Sequence, residues 1–223
     1  MSIYYQDDHV TLYHGDCLIE HREWLEADVL VTDPPYGAKW ASGQFSRAAV
    51  PVEVNIESDE SPAVRNEALS EWGDGPALVF GSWRVPRPPK VKNRLIWYKA
   101  ANKPGMRTQP WYAADEEIYQ LGSGFTGKPS HNVYVTRESR DGANGEVAKW
   151  GHPTPKPIPL MEALIAKCPP GVVADPFAGS GATLLLTIRL HSTEVVDYEQ
   201  LLEYAETVEA FDAIQPGLFE VTP

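Results

Sequence analysis

An α/β fold on a mostly parallel, doubly wound sheet is what this sequence predicts, and three observations predict it. Apolar runs of strand length alternate with amphipathic segments of helical length, the pattern of a parallel sheet with crossover helices. Two of those runs, Asp28-Val29-Leu30-Val31-Thr32 and Gly171-Val172-Val173-Ala174, lead into Asp33-Pro34-Pro35-Tyr36 and Asp175-Pro176-Phe177-Ala178-Gly179-Ser180-Gly181. The length, 223 residues, suits one α/β domain with a sizeable core, or at most a domain with a small insertion. Ligands of open sheets gather beyond the carboxyl ends of the strands where the order reverses. Two motifs at two strand ends therefore predict one shared site, the first motif for a substrate and the second for a cofactor.

The elements follow in order. Val10 to His14 reads as a short strand closed by Gly15-Asp16, and a brief helix is expected from Cys17 to about Leu25, ahead of the strand into Asp33. Residues 37–54 are small and polar and read as a loop. A helix is expected from Ser61 to Trp72, with Ser61-Pro62 in cap and first-turn positions. Pro76 to Phe80 and Arg94 to Tyr98 are two further strands; between them Pro86, Pro88 and Pro89 exclude regular structure, because each lacks an N–H and fixes its φ. Glu116 to Leu121 is a strand, and residues 122–151 form a glycine-rich, polar loop with a short strand at Val133-Tyr134-Val135. Ile158 to Cys168 is an amphipathic helix with Met161, Leu164, Ile165 and Cys168 on one face. Thr183 to Leu190 is apolar enough for a buried helix, and Glu199 to Phe211 is the last one.

Hydrophobic residues at 43% and charged residues at 22% are ordinary for a soluble globular protein, and no apolar run reaches membrane-spanning length. The start, Met1 to Asp8, lacks the basic residues and apolar stretch of a signal peptide, so a cytoplasmic protein is expected. Cys17 and Cys168 stand far apart without metal-ligand spacing and read as buried thiols in a reducing compartment, with no metal site. The net charge of −12 speaks against a simple nucleic-acid binder, since phosphate contact leaves a basic footprint. Its distribution softens that objection. No acid lies between Asp74 and Asp115, a window that holds Arg84, Arg87, Lys90, Lys92, Arg94, Lys99, Lys103 and Arg107, 8 of the 19 basic residues. Trp83, Trp97, Tyr98, Trp111 and Tyr112 are interleaved with them, aromatic rings of the kind on which bases stack.

The second motif is a strand, a glycine-rich turn and an apolar helix, where backbone must approach a ligand closely; Gly179 and Gly181 remove side-chain bulk there. It is not a phosphate loop, because no lysine follows Gly181, nor a full dinucleotide fingerprint, because Leu184 occupies the third glycine position. In the first motif, two successive prolines hold the backbone extended with no N–H to donate, which leaves peptide carbonyls to accept from a ligand. An exocyclic amino group carries two hydrogens and needs two acceptors to be held in line. The Asp33 carboxylate and the Pro34 carbonyl can supply them, and Tyr36 offers a ring to stack on a base.

With both motifs in this order, the chain resembles the beta class of DNA amino-methyltransferases, in which the catalytic tetrapeptide precedes the cofactor motif. Three further segments carry the resemblance: Leu12-Tyr13-His14-Gly15-Asp16-Cys17, Arg94-Leu95-Ile96-Trp97-Tyr98-Lys99, and His152-Pro153-Thr154-Pro155-Lys156-Pro157. It implies a Rossmann-like S-adenosylmethionine-dependent methyltransferase fold in circularly permuted motif order, over a single domain of residues 1–223. The catalytic half would span about 1–150, with a basic, aromatic loop region over 81–112, and the cofactor-binding half about 151–223. The implied reaction is direct methyl transfer from S-adenosyl-L-methionine to an amino group of a base flipped out of double-stranded DNA, adenine N6 first and cytosine N4 second. Asp33, Pro34, Pro35 and Tyr36 would be catalytic. Asp175, Pro176, Phe177, Ala178, Gly179, Ser180 and Gly181 would hold the cofactor, with Asp16 at the cofactor or the base and Lys156 at the cofactor carboxylate. Arg84, Arg87, Lys90, Lys92, Lys99, Lys103 and Arg107 would face nucleic acid.

The sequence departs from the family where an acid should close on the ribose hydroxyls. Leu190-His191-Ser192-Thr193-Glu194-Val195-Val196-Asp197-Tyr198-Glu199 offers Asp197 first, with Glu199 and Glu194 as alternatives. The stretch from Tyr36 to His152 leaves little room for a dedicated recognition domain, so target choice falls to short loops, to a lax preference, or to a second subunit, which keeps a homodimer open. Compactness suggests an orphan enzyme of a bacterium or bacterial virus. Methylation of RNA or of a protein amide, and a catalytically silent binding subunit, are the remaining alternatives.

Overall fold

The computed structural model describes residues 3–13, 15–35, 61–100, 114–136 and 156–178. The loop read over 37–54 and the helices read over 183–190 and 199–211 lie outside the described residues.

The chain begins with an antiparallel hairpin, β1 (Ile3–Gln6) and β2 (Thr11–Tyr13). The sequence predicted only the second strand. The turn between them is closed by Asp7, whose Oδ1 accepts from the amides of His9 and Val10, each at 2.7 Å. Next comes the expected helix over residues 17–25, which the structure corrects to a tight turn and a 3-10 segment at Glu23–Glu26. One carbonyl, that of Asp16, accepts from the amides of Ile19, Glu20 and His21, and the Asp16 carboxylate accepts from Leu18 at 2.8 Å. A helix needs each successive amide to find the next carbonyl; gathering them on one residue winds a turn that does not propagate.

Six strands form the sheet: β3 (Val29–Thr32), β4 (Ala77–Gly81), β5 (Asn93–Lys99), β6 (Asp115–Leu121), β7 (Val133–Thr136) and β8 (Val173–Ala174). Their spatial order is β7-β5-β6-β4-β3-β8. The β3–β4, β3–β8 and β5–β7 pairs are parallel, while β6 is antiparallel to both β4 and β5, so within these six strands β6 alone runs against the rest. The order reverses at β3: the chain leaves it towards β4 on one side and returns to β8 on the other. Because β6 runs backwards, its first residues lie at the carboxyl ends of β4 and β5, with Glu117 opposite Gly81 and Glu116 opposite Trp97.

Helices α1 (Ala63–Trp72) and α2 (Ile158–Ile165) contribute to two cores. Successive side chains of a strand point to opposite faces. Val29, Val31, Leu78, Phe80, Trp97 and Ile118 pack with Leu160, Met161, Leu164 and Ile165 of α2. Leu30, Ala77, Val79, Tyr119 and Leu121 pack with Ala68 and Leu69 of α1 and with Trp24. A strand covered on both faces needs apolar residues along its packed length, which explains why Val29–Val31 of β3 and Ala77–Phe80 of β4 read as unbroken apolar runs. The second helix stops three residues before the predicted Cys168, since Pro169 and Pro170 follow and a residue before proline disfavours the helical region. Gly171 has φ +132° and sits against Asp28, where an added Cβ would come within 2.0 Å of Oδ2; the Val172 amide donates to that oxygen at 2.7 Å. This contact sets β8 beside β3.

Leu164, 1% exposed, should be costly to truncate: Leu164→Ala is expected to lower the unfolding free energy by about 2–5 kcal/mol in urea titrations, whereas Ile19→Ala, at 77% exposure, should change it by less than about 0.5 kcal/mol. Equal effects would contradict the two-faced core.

Candidate active site

β8 runs parallel beside the first half of β3, with Val29 opposite Val173 and Leu30 opposite Ala174, so the turn after β8 lies alongside the end of β3. Asp33-Pro34-Pro35 continues β3, and Asp175-Pro176-Phe177-Ala178 continues β8. The two turns are bonded to each other: the Thr32 hydroxyl donates to Asp175 Oδ1 at 2.6 Å, and the same oxygen accepts from the Phe177 amide at 3.0 Å. Asp175 thus orders its own turn and ties it to the strand that presents Asp33. Phe177, half-buried, packs on the core around α1, as do Cys17 and Leu18 beside Asp16. Burial first, and then the carboxylates of Asp16 and, more weakly, Asp175, push the Cys17 thiol up to about 11. The structure therefore brings Asp16 and Asp175 to one edge.

On the other side of Asp33 lies a cluster of four alternating charges. Lys156, on the segment leading into α2, places its ammonium 2.6 Å from Asp33 Oδ2 and 3.3 Å from Glu116 Oε2. Lys99, at the end of β5, closes the series on Glu116 Oε1. Aromatic faces line it: the Lys156 ammonium lies 4.9 Å from the Phe80 ring centre, and the Lys99 ammonium 4.4 Å from that of Trp97. The indole N–H of Trp97 donates to Thr136 Oγ1 at 2.6 Å and so fixes its ring. Burial alone would lower the Lys156 ammonium; Asp33 and Glu116 outweigh it and hold it well above the usual lysine range. Burial would likewise raise the Glu116 carboxyl, but Lys156 and Lys99 hold it below its ordinary value.

Sequence reasoning missed Glu116 and Thr32. A signal for Glu116 was present: three consecutive acids, Asp115-Glu116-Glu117, open a strand that is otherwise mostly apolar. Glu117 is buried too, accepting from Arg87 and Arg94 at 3.0 Å each and from the Tyr119 hydroxyl. Burial and Glu117 push that phenol up to about 12.

The basic window folds against the acids at its two borders. Lys90 pairs with Asp74 at 2.7 Å, Arg87 with Glu117, and Lys99, largely buried, with Glu116. Lys92 donates to Ser123, and the Arg84 guanidinium lies 5.5 Å from the Trp83 ring centre. Tyr36, Lys103, Arg107, Gly179, Ser180, Gly181 and the candidate ribose acids Asp197, Glu199 and Glu194 lie outside the described residues. Among the described residues, no group of three or more His, Cys, Asp or Glu is placed to hold a metal ion, and no helix is long and apolar enough to cross a membrane.

A doubly wound sheet with one antiparallel strand, and two proline-containing turns at neighbouring strand ends, defines the Rossmann-like fold of S-adenosylmethionine-dependent methyltransferases. Residues 87–210, more than half of the chain, match the DNA methylase family of N6 and N4 methyltransferases, and the chain belongs to that family. The type II methyltransferase M.ScaI of Streptomyces caespitosus is 23% identical over 239 residues, covering 82% of this chain and 74% of that one. The crystal structure of M1.HpyAVI superposes with a TM-score of 0.51 at 18% identity, covering 80% of this chain and 86% of that chain. Its complex with SAM gives 0.52 at 19% identity, covering 80% and 87%. These two structures establish the likeness of fold.

The shifts of Glu116 and Lys156 define a window of stability. A carboxylate held below its ordinary 4.5 contributes fully above that pH and loses its contribution as the pH falls through the lowered value. A lysine held above 10.5 contributes fully below that pH and loses its contribution as the pH rises through the raised value. Below about pH 5, urea titrations should therefore show a steeper acid loss for the native chain than for Glu116→Gln. Equal acid slopes would contradict the cluster.

Proposed function

We propose that this chain methylates an exocyclic amino group of a base in DNA, with S-adenosyl-L-methionine as donor and adenine N6 as first target. One observation carries the reading: the Asp33-Pro34-Pro35 end of β3 is bonded, through Thr32 and Asp175, to the turn that leads into Gly179-Ser180-Gly181. The described part of that turn suits the donor, since Asp175 holds it in shape from within and Phe177 lines it from the α1 side. Pro176, Ala178, Gly179, Ser180 and Gly181 would complete that wall and Asp197 would take the ribose, with Asp16 beside them. When bound, the donor supplies an electrophilic methyl carbon on a sulfonium.

Asp33 and the Pro34 carbonyl accept the two hydrogens of the target amino group and turn its nitrogen lone pair towards that carbon, while Tyr36 stacks on the base. Catalysis is then positioning together with stabilisation of the positive charge that develops on nitrogen. The target must leave the duplex first, at a cost of about a few kcal/mol of stacking and pairing. Trp83 and Arg84 follow β4 at the same edge as Asp33, and Trp83 is 60% exposed. We assign them, with Arg87, to the DNA-facing surface, and Lys103 and Arg107 join it on sequence pattern alone; Lys90, on Asp74, and Lys92, on Ser123, lie where β5 begins, at the opposite edge of the sheet.

Mass spectrometry of nucleosides from unmethylated DNA, incubated with the protein and S-adenosyl-L-methionine, should reveal N6-methyladenine. N4-methylcytosine would move the target base, and neither product from several DNA sources would overturn the reading. Asp33→Ala should lower transfer by roughly 10²–10³-fold or more and leave donor binding largely intact by isothermal titration; loss of both together would contradict the separation of target-holding and donor-holding residues. Trp83→Ala should raise the KM for DNA by roughly 5-fold or more; an unchanged KM removes Trp83 from the interface.

A further inference from the structure

The sequence resemblance suggested Lys156 for the donor's carboxylate, but its ammonium lies on Asp33. At 7% exposure the Lys156 side chain is the most enclosed of the four charges, and Asp33, at 28%, is the one through which the cluster opens to the surface. A buried ion pair contributes little net stability compared with apolar packing, because desolvation offsets the attraction. Stability alone therefore gives weak reason to keep a lysine between Phe80 and Trp97. Its geometry supplies a stronger one. An ammonium donates three hydrogens and accepts none, so the Asp33 oxygen at 2.6 Å is fixed as an acceptor and the carboxylate plane is pinned from one side. Lys156 is itself held from the opposite side by Glu116, which Lys99 neutralises in turn.

These four residues come from four different segments: the end of β3, the start of β6, the end of β5 and the approach to α2. Any rotation of Asp33 must break a contact that the whole strand edge supports. The alternation of signs leaves no uncompensated charge within the cluster, the condition for burying such a group at all.

We propose that Lys156 is a positioning residue for methyl transfer, acting through Asp33 by fixing the direction of its carboxylate, with Glu116 and Lys99 holding Lys156 in place. The proposal rests on the reading of Asp33 as the residue that holds the target amino group. It differs from a donor-binding role in what its removal changes: the rate of the bound complex falls, and the affinity for the donor stays.

The test is a double-mutant cycle on the full chain with Lys156→Met, Asp33→Asn and their combination, read as single-turnover methyl transfer to DNA with enzyme and donor saturating. Lys156→Met is expected to slow transfer by ~10²-fold, the cost typical of a misplaced catalytic group, while the dissociation constant for S-adenosyl-L-methionine by isothermal titration stays within about threefold. Lys156→Arg, which keeps a cation in reach, should recover at least about a tenth of the native rate. In the Asp33→Asn background, Lys156→Met should cost nothing further, because a residue acting only through Asp33 has nothing left to position.

Additive losses would overturn the proposal, as would a rise of about tenfold or more in the donor dissociation constant, which would place Lys156 on the cofactor. If Lys156→Met does not fold, Glu116→Gln replaces it: slower transfer with unchanged donor binding supports the relay, and an unchanged rate overturns it. The native chain is the control that separates the two readings. Native transfer with additive losses removes the Lys156 assignment alone, whereas no native transfer to DNA removes the functional reading and this inference with it.

Discussion

The contact on which the site depends is the one between the Lys156 ammonium and the Asp33 carboxylate, 2.6 Å apart and largely enclosed. A buried lysine without partners would shed its proton, since an isolated charge in an apolar interior is too costly to keep. Here two carboxylates reverse that tendency, and the enclosing rings of Phe80 and Trp97 present their faces to it. The cation joins the end of β3 to the approach to α2, regions far apart in sequence.

Sheet order explains why these groups meet. Had β6 run parallel to its neighbours, its acidic head would sit at the opposite edge, far from Asp33. Running backwards between β4 and β5, it delivers Glu116 and Glu117 to the edge where the parallel strands end. Glu116 then meets the two lysines of the site, and Glu117 gathers Arg87, Arg94 and Tyr119 on the neighbouring flank. The second tie, from the Thr32 hydroxyl to Asp175, performs the same task on the β8 side. Asp33 is thus braced by a hydrogen-bonded turn on one hand and by a charge relay on the other.

Much of this was legible in the sequence, and the reasons are local. Strands covered on both faces are apolar along most of their length, as at Val29–Val31 and Ala77–Phe80, and the proline and glycine motifs mark where they stop. The hairpin strand Ile3–Gln6 was missed because its pairing depends on one side chain, Asp7, closing a short turn. The helix expected after Cys17 failed because Asp16 collects the amides that would have propagated it. The ion-pair relay was beyond sequence reading for a different reason: its members are spread over four segments, and only the reversed strand brings them together. The basic window shows the same limit. It contains no acid of its own, yet Asp74, Glu116 and Glu117 at its borders fold back onto it, so the excess positive charge is smaller than the sequence suggests.

In the proposed mechanism Asp33, held by Lys156, receives the target amino group beside the donor. A crystal structure of the protein with an S-adenosyl-L-methionine analogue and a duplex containing its target base would decide whether it does. The extruded amino nitrogen is expected within hydrogen-bond distance of the Asp33 carboxylate and the Pro34 carbonyl, with the Lys156 ammonium still on Asp33. An amino group bound away from Asp33, or Lys156 turned onto the donor's carboxylate, would contradict the mechanism.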